Sequence, residues 1–163
     1  MTVSARRSRS LAPWSPGPGT LGTPSEPPSF DAVVPGSEPA PLTLEPVSRT
    51  DHVRYQGASG DMNPIHHDEP FATSSGYPAP LTVGMFQAGV LTTWATNWLG
   101  PAHVRRTRLR WKAPVFPGDV LTMAGAITER RPETGEVDLE LACTREDGSV
   151  CVQAWMTFRL PRP

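Results

Sequence analysis

Between residues 84 and 99 apolar side chains recur on almost every face: Met85, Phe86, Ala88, Val90, Leu91, Trp94, Ala95, Trp98 and Leu99, with a stop at Gly100-Pro101. A segment of that length with apolar residues nearly all round is predicted to be a helix buried at the centre of the fold. Beyond it the period changes to two. Thr107, Leu109 and Trp111 alternate with Arg106, Arg108, Arg110 and Lys112, which predicts a half-buried strand with one charged face. Pro114, Pro117 and Gly118 turn the chain, and Val120 to Arg130 reads as a second strand bounded by Pro132 and Gly135. Val137, Leu139, Leu141 and Cys143, then Val150, Val152, Ala154, Met156, Phe158 and Leu160, form two further alternating runs. Between them Asp147-Gly148 reads as a two-residue hairpin turn. That register sets Cys143 opposite Val152 and aims Cys151 at the other face. One long buried helix followed by antiparallel strands implies an α+β fold, with a sheet wrapped on one side around the helix. Strands of this length pair readily with the sheet of a partner.

Upstream of the long helix the pattern is weaker. Thr50 is a candidate N-cap for a short helix ending at Gly57 or Gly60. A polar loop from Asp61 to Pro70 follows, then one helical turn at Phe71 to Ser75. Gly76, Pro78 and Pro80 force an irregular connection to the long helix. Asp68 suits the cap of that helical turn, with His67 as its neighbour at the helix entry. His52 and His103 show no partner in sequence and read as surface residues.

Composition changes the picture at the N-terminus. Half of the 20 prolines fall within the first 46 of 163 residues, and residues 1–40 lack any periodic apolar face, so this stretch reads as a flexible tail ahead of one domain over 41–163. Arg6 and Arg7 are followed by Ser, Pro and Gly where an export signal needs an apolar run. The net charge of -1 provides no global field for nucleic acid. The stretch from Leu81 to Leu99 is interrupted by Gln87, Thr92, Thr93, Thr96 and Asn97, too polar to span a bilayer. The expectation is therefore a cytoplasmic protein with no membrane and no nucleic-acid partner. Its two cysteines are expected as free thiols with no metal-site spacing.

The densest chemistry lies in Tyr55-Gln56-Gly57-Ala58-Ser59-Gly60-Asp61-Met62-Asn63-Pro64-Ile65-His66-His67-Asp68. Chemistry that activates a water molecule needs a group that takes a proton from it and a group that returns a proton to the reaction partner. A carboxylate and an imidazole sharing one water meet that need, and Asp61 and His66 are the candidates. Pro64 fixes its own φ and keeps Asn63 extended, a stiff bend that aims both side chains at one point. Asn63 is expected to hydrogen-bond within the loop or near the water and to orient the pair, a supporting role. Chemistry that develops charge on an oxygen also needs a donor, and the backbone N–H of Gly84, opening the long helix, is in place for such an oxyanion.

This run, with Gly84-Met85 and the turn Val115-Phe116-Pro117-Gly118-Asp119, is similar to the signature of the MaoC-like family of (R)-specific enoyl-CoA hydratases and 3-hydroxyacyl-thioester dehydratases. The resemblance implies a hot-dog fold, assembled as a homodimer or as a heteromer with another hot-dog subunit. It implies reversible syn hydration of a trans-2-enoyl thioester to an (R)-3-hydroxyacyl thioester. No metal or redox cofactor is expected; coenzyme A or the phosphopantetheine of a carrier protein arrives as part of the acyl thioester substrate. Where the family commonly has His-Gly-Met, this chain has Val83-Gly84-Met85, which keeps the backbone donor and loses the imidazole. Three alternatives stand beside this reading: a dehydratase for an acyl carrier protein, a non-catalytic hot-dog subunit that completes a partner's tunnel, and a hot-dog thioesterase. Arg105, Arg106, Arg108, Arg110 and Lys112 either meet coenzyme A phosphates or an acidic carrier protein, or form a solvated face that discourages edge pairing. Trp94, Trp98, Trp111 and Trp155 line an acyl tunnel or serve as core and dimer contacts.

Overall fold

The computed structural model describes residues 26–162. Its elements are β1 (Leu42–Thr43), α1 (Arg49–Ser59), α2 (Glu69–Ser74), α3 (Gly84–Leu99), β2 (Val104–Trp111), β3 (Leu121–Arg131), β4 (Glu136–Arg145) and β5 (Val150–Arg159), with 3₁₀ turns at Phe30–Ala32, Pro64–His66 and Pro101–His103. The five strands form one antiparallel sheet in the order β1-β3-β4-β5-β2. Its concave face carries Leu121, Met123, Ile127, Val137, Leu139, Leu141, Val152, Ala154 and Phe158, all buried. Against them α3 sets Ala88, Leu91, Ala95 and Leu99. Each fully buried Leu, Val or Phe contributes roughly 1.5–3 kcal/mol, so this single layer of contact is the dominant driving force. The α+β expectation of a helix enclosed by a curved sheet holds.

Several local readings are corrected. The cap of α1 is Ser48 and not Thr50: Ser48 Oγ accepts from Asp51 N at 3.2 Å while Asp51 Oδ2 accepts from Ser48 N at 2.9 Å, a reciprocal capping box. The helix ends at Gly60, whose φ of 73° is the left-handed conformation. The hairpin between β4 and β5 is longer than two residues. Arg145 N donates to Ser149 O, leaving Glu146, Asp147 and Gly148 as a three-residue loop with Gly148 at φ 80°. The one-residue slip is undone by a bulge between the Thr144–Val150 and Cys143–Val152 pairs, so Cys143 still pairs with Val152. Cys151 is the extra residue in that bulge. It is buried in the core beside Cys143, not on the opposite face, and both thiols are free. Contact with Cys151, reinforced by burial, pushes the Cys143 thiol well above its ordinary value.

β2 is an edge strand, and the shelter expected for Thr107 and Trp111 is missing. Along it only Val104 and Leu109 are half-buried, and Trp111 is 46% exposed. The opposite edge is covered by a segment read as tail. Residues 1–25 lie outside the described residues, but from Phe30 onward the proline-rich stretch is packed against the domain. Phe30 N donates to Pro161 O, Gly36 N to Ile127 O, Ile127 N to Ser37 O, and Leu44 N to Leu121 O. Phe30 and Val33 are buried, and the Arg130 guanidinium lies 4.2 Å from the centre of the Phe30 ring. The boundary expected at residue 40 therefore moves to about Phe30. Prolines are compatible with such a strap because an edge segment needs only some of its N–H groups for the ladder.

Candidate active site

The loop between α1 and α2 is held from both ends. An ion pair joins Arg49 to Glu69, the first residues of the two helices. Gln56, buried on α1, donates from Nε2 to Asp61 O at 3.1 Å and lies 3.0 Å from His67 Nδ1. Asp61 Oδ1 accepts from Asn63 N at 3.2 Å, and Asn63 Oδ1 accepts from Ile65 N at 3.1 Å, capping the 3₁₀ turn that carries His66. Asp68 Oδ1 accepts from Phe71 N at 2.7 Å and caps α2, as its position suggests.

These bonds bring Asp61 and His66 together. Asp61 Oδ2 lies 3.6 Å from His66 Nε2, with the carboxylate side chain 45% exposed and the imidazole 10% exposed. His66 Nδ1 is 2.8 Å from Leu81 O, a backbone acceptor, so Nδ1 carries a hydrogen, and in the neutral imidazole Nε2 is the nitrogen that presents a lone pair beside Asp61. Two acceptors at that separation suit one water that donates to both. A cleft of about 250 Å³ lies beside His66, lined by His66, Tyr77, Thr82, Gly84, Gln87 and Trp111 among others; Asp61 is not among its lining residues and adjoins it through His66. Gly84 is the first residue of α3, so its N–H lies among the first-turn donors at the positive end of a 16-residue helix. Gly84 O accepts from Trp111 Nε1 at 2.8 Å. A Cβ at Gly84 would stand 2.9 Å from that same Nε1, so the indole closes over the helix start only because the residue is glycine.

The structure overturns the reading of His52 as a surface residue. It is 3% exposed on the inner side of α1, its Nε2 2.7 Å from Thr82 Oγ1, and it is hydrogen-bonded to the His66 backbone. Thr82 N in turn donates to Val115 O at 2.7 Å. His52 and Thr82 thus brace His66 from behind. Periodicity could not find this, because α1 is polar on nearly every side. Gln56, Thr82 and Tyr77 are equally unsignalled; Trp111 stands among the tryptophans read as tunnel lining or core, and Gln87 shows only as a polar break in an apolar run.

Burial holds the His52 imidazole below its usual 6.5, against smaller opposing contributions from its hydrogen bond to His66 and from Asp51; the His66 ring and Arg49 act with burial. The unfolded chain therefore binds a proton at a pH where the folded chain does not, and stability falls as pH drops below about 6.5, levelling once the folded group also titrates. We expect the urea midpoint to decline between pH 7.5 and 5, and His52→Asn to flatten that decline. An unchanged slope in the variant would show that the acid sensitivity arises elsewhere.

Among the described residues no helix is long and apolar enough to cross a membrane, and no group of three or more His, Cys, Asp or Glu side chains is placed to hold a metal ion. Comparison with known proteins adds the following. The (R)-specific enoyl-CoA hydratase of Rhodospirillum rubrum is 30% identical over 117 residues, 71% of this chain and 81% of that protein. The 3-hydroxyacyl-thioester dehydratase Y of Mycobacterium tuberculosis is 32% identical over 113 residues, 63% of this chain but 39% of that protein. Among solved structures, the (R)-hydratase from A. caviae involved in PHA biosynthesis superposes with a TM-score of 0.71 at 24% identity, covering 80% of this chain and 98% of that one. A subunit of the ChsH1-ChsH2 complex from Mycobacterium tuberculosis superposes with a TM-score of 0.69 at 23% identity over 78% of this chain and 98% of that one. These last two likenesses establish the hot-dog fold. The profile of the MaoC-like domain matches residues 31–145, from the start of the N-terminal strap to the end of β4, and the chain belongs to that family.

Proposed function

We propose that this protein catalyses the reversible addition of water to a trans-2-enoyl thioester, giving an (R)-3-hydroxyacyl thioester. The observation that carries this reading is the 3.6 Å approach of Asp61 Oδ2 to His66 Nε2 beside a cleft that also contains the opening residue of α3. A water donating to both acceptors turns its lone pairs toward the cleft. As its oxygen bonds to the β-carbon, one proton passes to the Asp61/His66 pair and the π electrons move to the α-carbon and thioester oxygen. The Gly84 N–H stabilises that oxygen through the field of the helix start. The pair then returns a proton to the α-carbon. Because one side of the cleft both takes and returns it, the addition is syn. The chemistry draws on these residues alone, with no metal or redox cofactor. The names of the relatives support both the reaction class and its (R) outcome.

The same reading gives the protein a second hot-dog subunit. Met62, Phe71, Met85 and Trp111 are each more than 40% exposed on the loop, helix ends and edge strand around the site. Apolar groups clustered in this way are the kind of surface a partner covers. The exposed Arg106, Arg108 and Arg110 on β2 offer a basic face for the phosphates of coenzyme A or for an acidic carrier protein.

Crotonyl-CoA separates hydration from hydrolysis. Hydration removes the absorbance of the conjugated thioester and releases no thiol, whereas a thioesterase frees coenzyme A. Loss of absorbance without thiol is the expected result; thiol release, or neither signal, would refute the hydratase reading.

A further inference from the structure

Gln87 sits on α3 three residues after Gly84, on the same side of the helix, and lines the same cleft as His66. It is 2% exposed, and its Oε1 has no hydrogen-bond partner among the described residues. The other buried polar atoms in that condition are the Nε atoms of Arg130 and Arg145, whose guanidinium groups are engaged through their terminal nitrogens with Phe30 O and Asp147. Gln87 is different: its amide oxygen is stripped of solvent at the wall of the candidate site, in a helix otherwise apolar on its buried side. A buried acceptor without a donor is destabilising, and folded chains rarely keep one unless something that enters the site completes it.

An acyl thioester brings few donors to that wall. Its carbonyl and sulfur only accept, and an alkyl chain offers nothing. A hydroxyl on the acyl group does donate. We infer that Gln87 Oε1 accepts a hydrogen bond from a hydroxyl of the bound acyl group, making the site selective for hydroxyacyl over unsubstituted acyl thioesters. This rests on the thioester reading above and adds to it a specificity residue outside the Asp61/His66 pair. The hydroxyl is the one formed by hydration at carbon 3 or one carried further along the chain, at carbon 4.

The test measures affinity at equilibrium in the Asp61→Asn background, where turnover is slowed by about 10²- to 10⁴-fold and binding is read before the ligands are converted. Butyryl-CoA, (R)-3-hydroxybutyryl-CoA and 4-hydroxybutyryl-CoA are compared, so that the pantetheine amides, common to all three, cancel. The expected result is that one hydroxy ester binds about tenfold more tightly than butyryl-CoA, the preferred ester locating the donor. Gln87→Met, which keeps the length of the side chain and removes the acceptor, should bring that ratio close to one while leaving the melting temperature unchanged or higher; Gln87→Leu serves the same purpose should Met repack poorly. A parent that shows no hydroxyl preference, a preference that survives both substitutions, or equal weakening of all three esters with a lowered melting temperature would each overturn the assignment. Those outcomes alongside wild-type hydration of crotonyl-CoA would defeat only the role of Gln87. A hydroxyl preference lost with Gln87 in a wild-type protein that hydrates nothing would leave this binding role standing and remove the hydratase.

Discussion

Asp61→Asn should lower kcat/KM for hydration of crotonyl-CoA by about 10²- to 10⁴-fold, the usual range for losing a positioned acid-base group. The substitution is nearly isosteric and leaves the loop intact. The amide oxygen can still accept from Asn63 N, the Asp61 carbonyl still receives Gln56 Nε2, and a side chain 45% exposed carries little of the fold. What disappears is the carboxylate's capacity to take a proton from the water shared with His66. The fall should therefore appear in kcat, with the melting temperature within about 2 °C of wild type, as is usual for surface changes. Hydration that proceeds at the wild-type rate in the variant would refute the assignment of Asp61.

Gly125→Ala should be the most destabilising of the small substitutions in the sheet. A Cβ at this position on β3 would lie 2.4 Å from Glu140 O, 2.6 Å from Leu141 Cδ2 and 2.8 Å from Leu141 Cα. Two of those atoms are backbone of the adjacent strand β4, paired in register with Gly125, so relief requires the strands to separate. Overpacking of this kind costs about 1–3 kcal/mol, occasionally more, and for a domain of this size the melting temperature should drop by roughly 5–10 °C. Gly57→Ala makes a useful contrast. It lies within α1 with open space around it, and alanine there should be neutral to slightly stabilising. Melting temperatures of both variants check the argument; Gly125→Ala melting at the wild-type temperature would show that the sheet yields at this point far more easily than close strand packing implies.

The contrast between these two glycines also marks the limit of reading the chain in one dimension. Nothing in the letters around Gly57 and Gly125 distinguishes a vacant helix surface from a strand pressed against its neighbour. The same limit explains the β4–β5 hairpin. Asp147-Gly148 carries the chemistry of a tight turn, and the pairing of Cys143 with Val152 follows from it, yet the real loop has three residues and a bulge restores the count. Alternation survives two compensating irregularities, so a correct register can coexist with a misplaced Cys151. His52 illustrates the matter for the site. On a helix polar all round, no period reveals which polar residue is turned inward, and only the approach of Thr82 from the connection before α3 makes it a buried brace.

By itself the sequence determined the buried helix, the four long antiparallel strands and the stiff Asp61-to-His66 bend, because hydrophobic period, proline geometry and capping chemistry act over a few neighbouring residues. Only the tertiary structure decided that the strap from Phe30 belongs to the domain, that His52 supports His66, that Trp111 closes over Gly84, and that Gln87 faces the cleft with an unanswered acceptor. Each of these depends on which groups meet across long sequence separations, and such meetings are set by the packing of α3 against the sheet and not by any local preference of the chain.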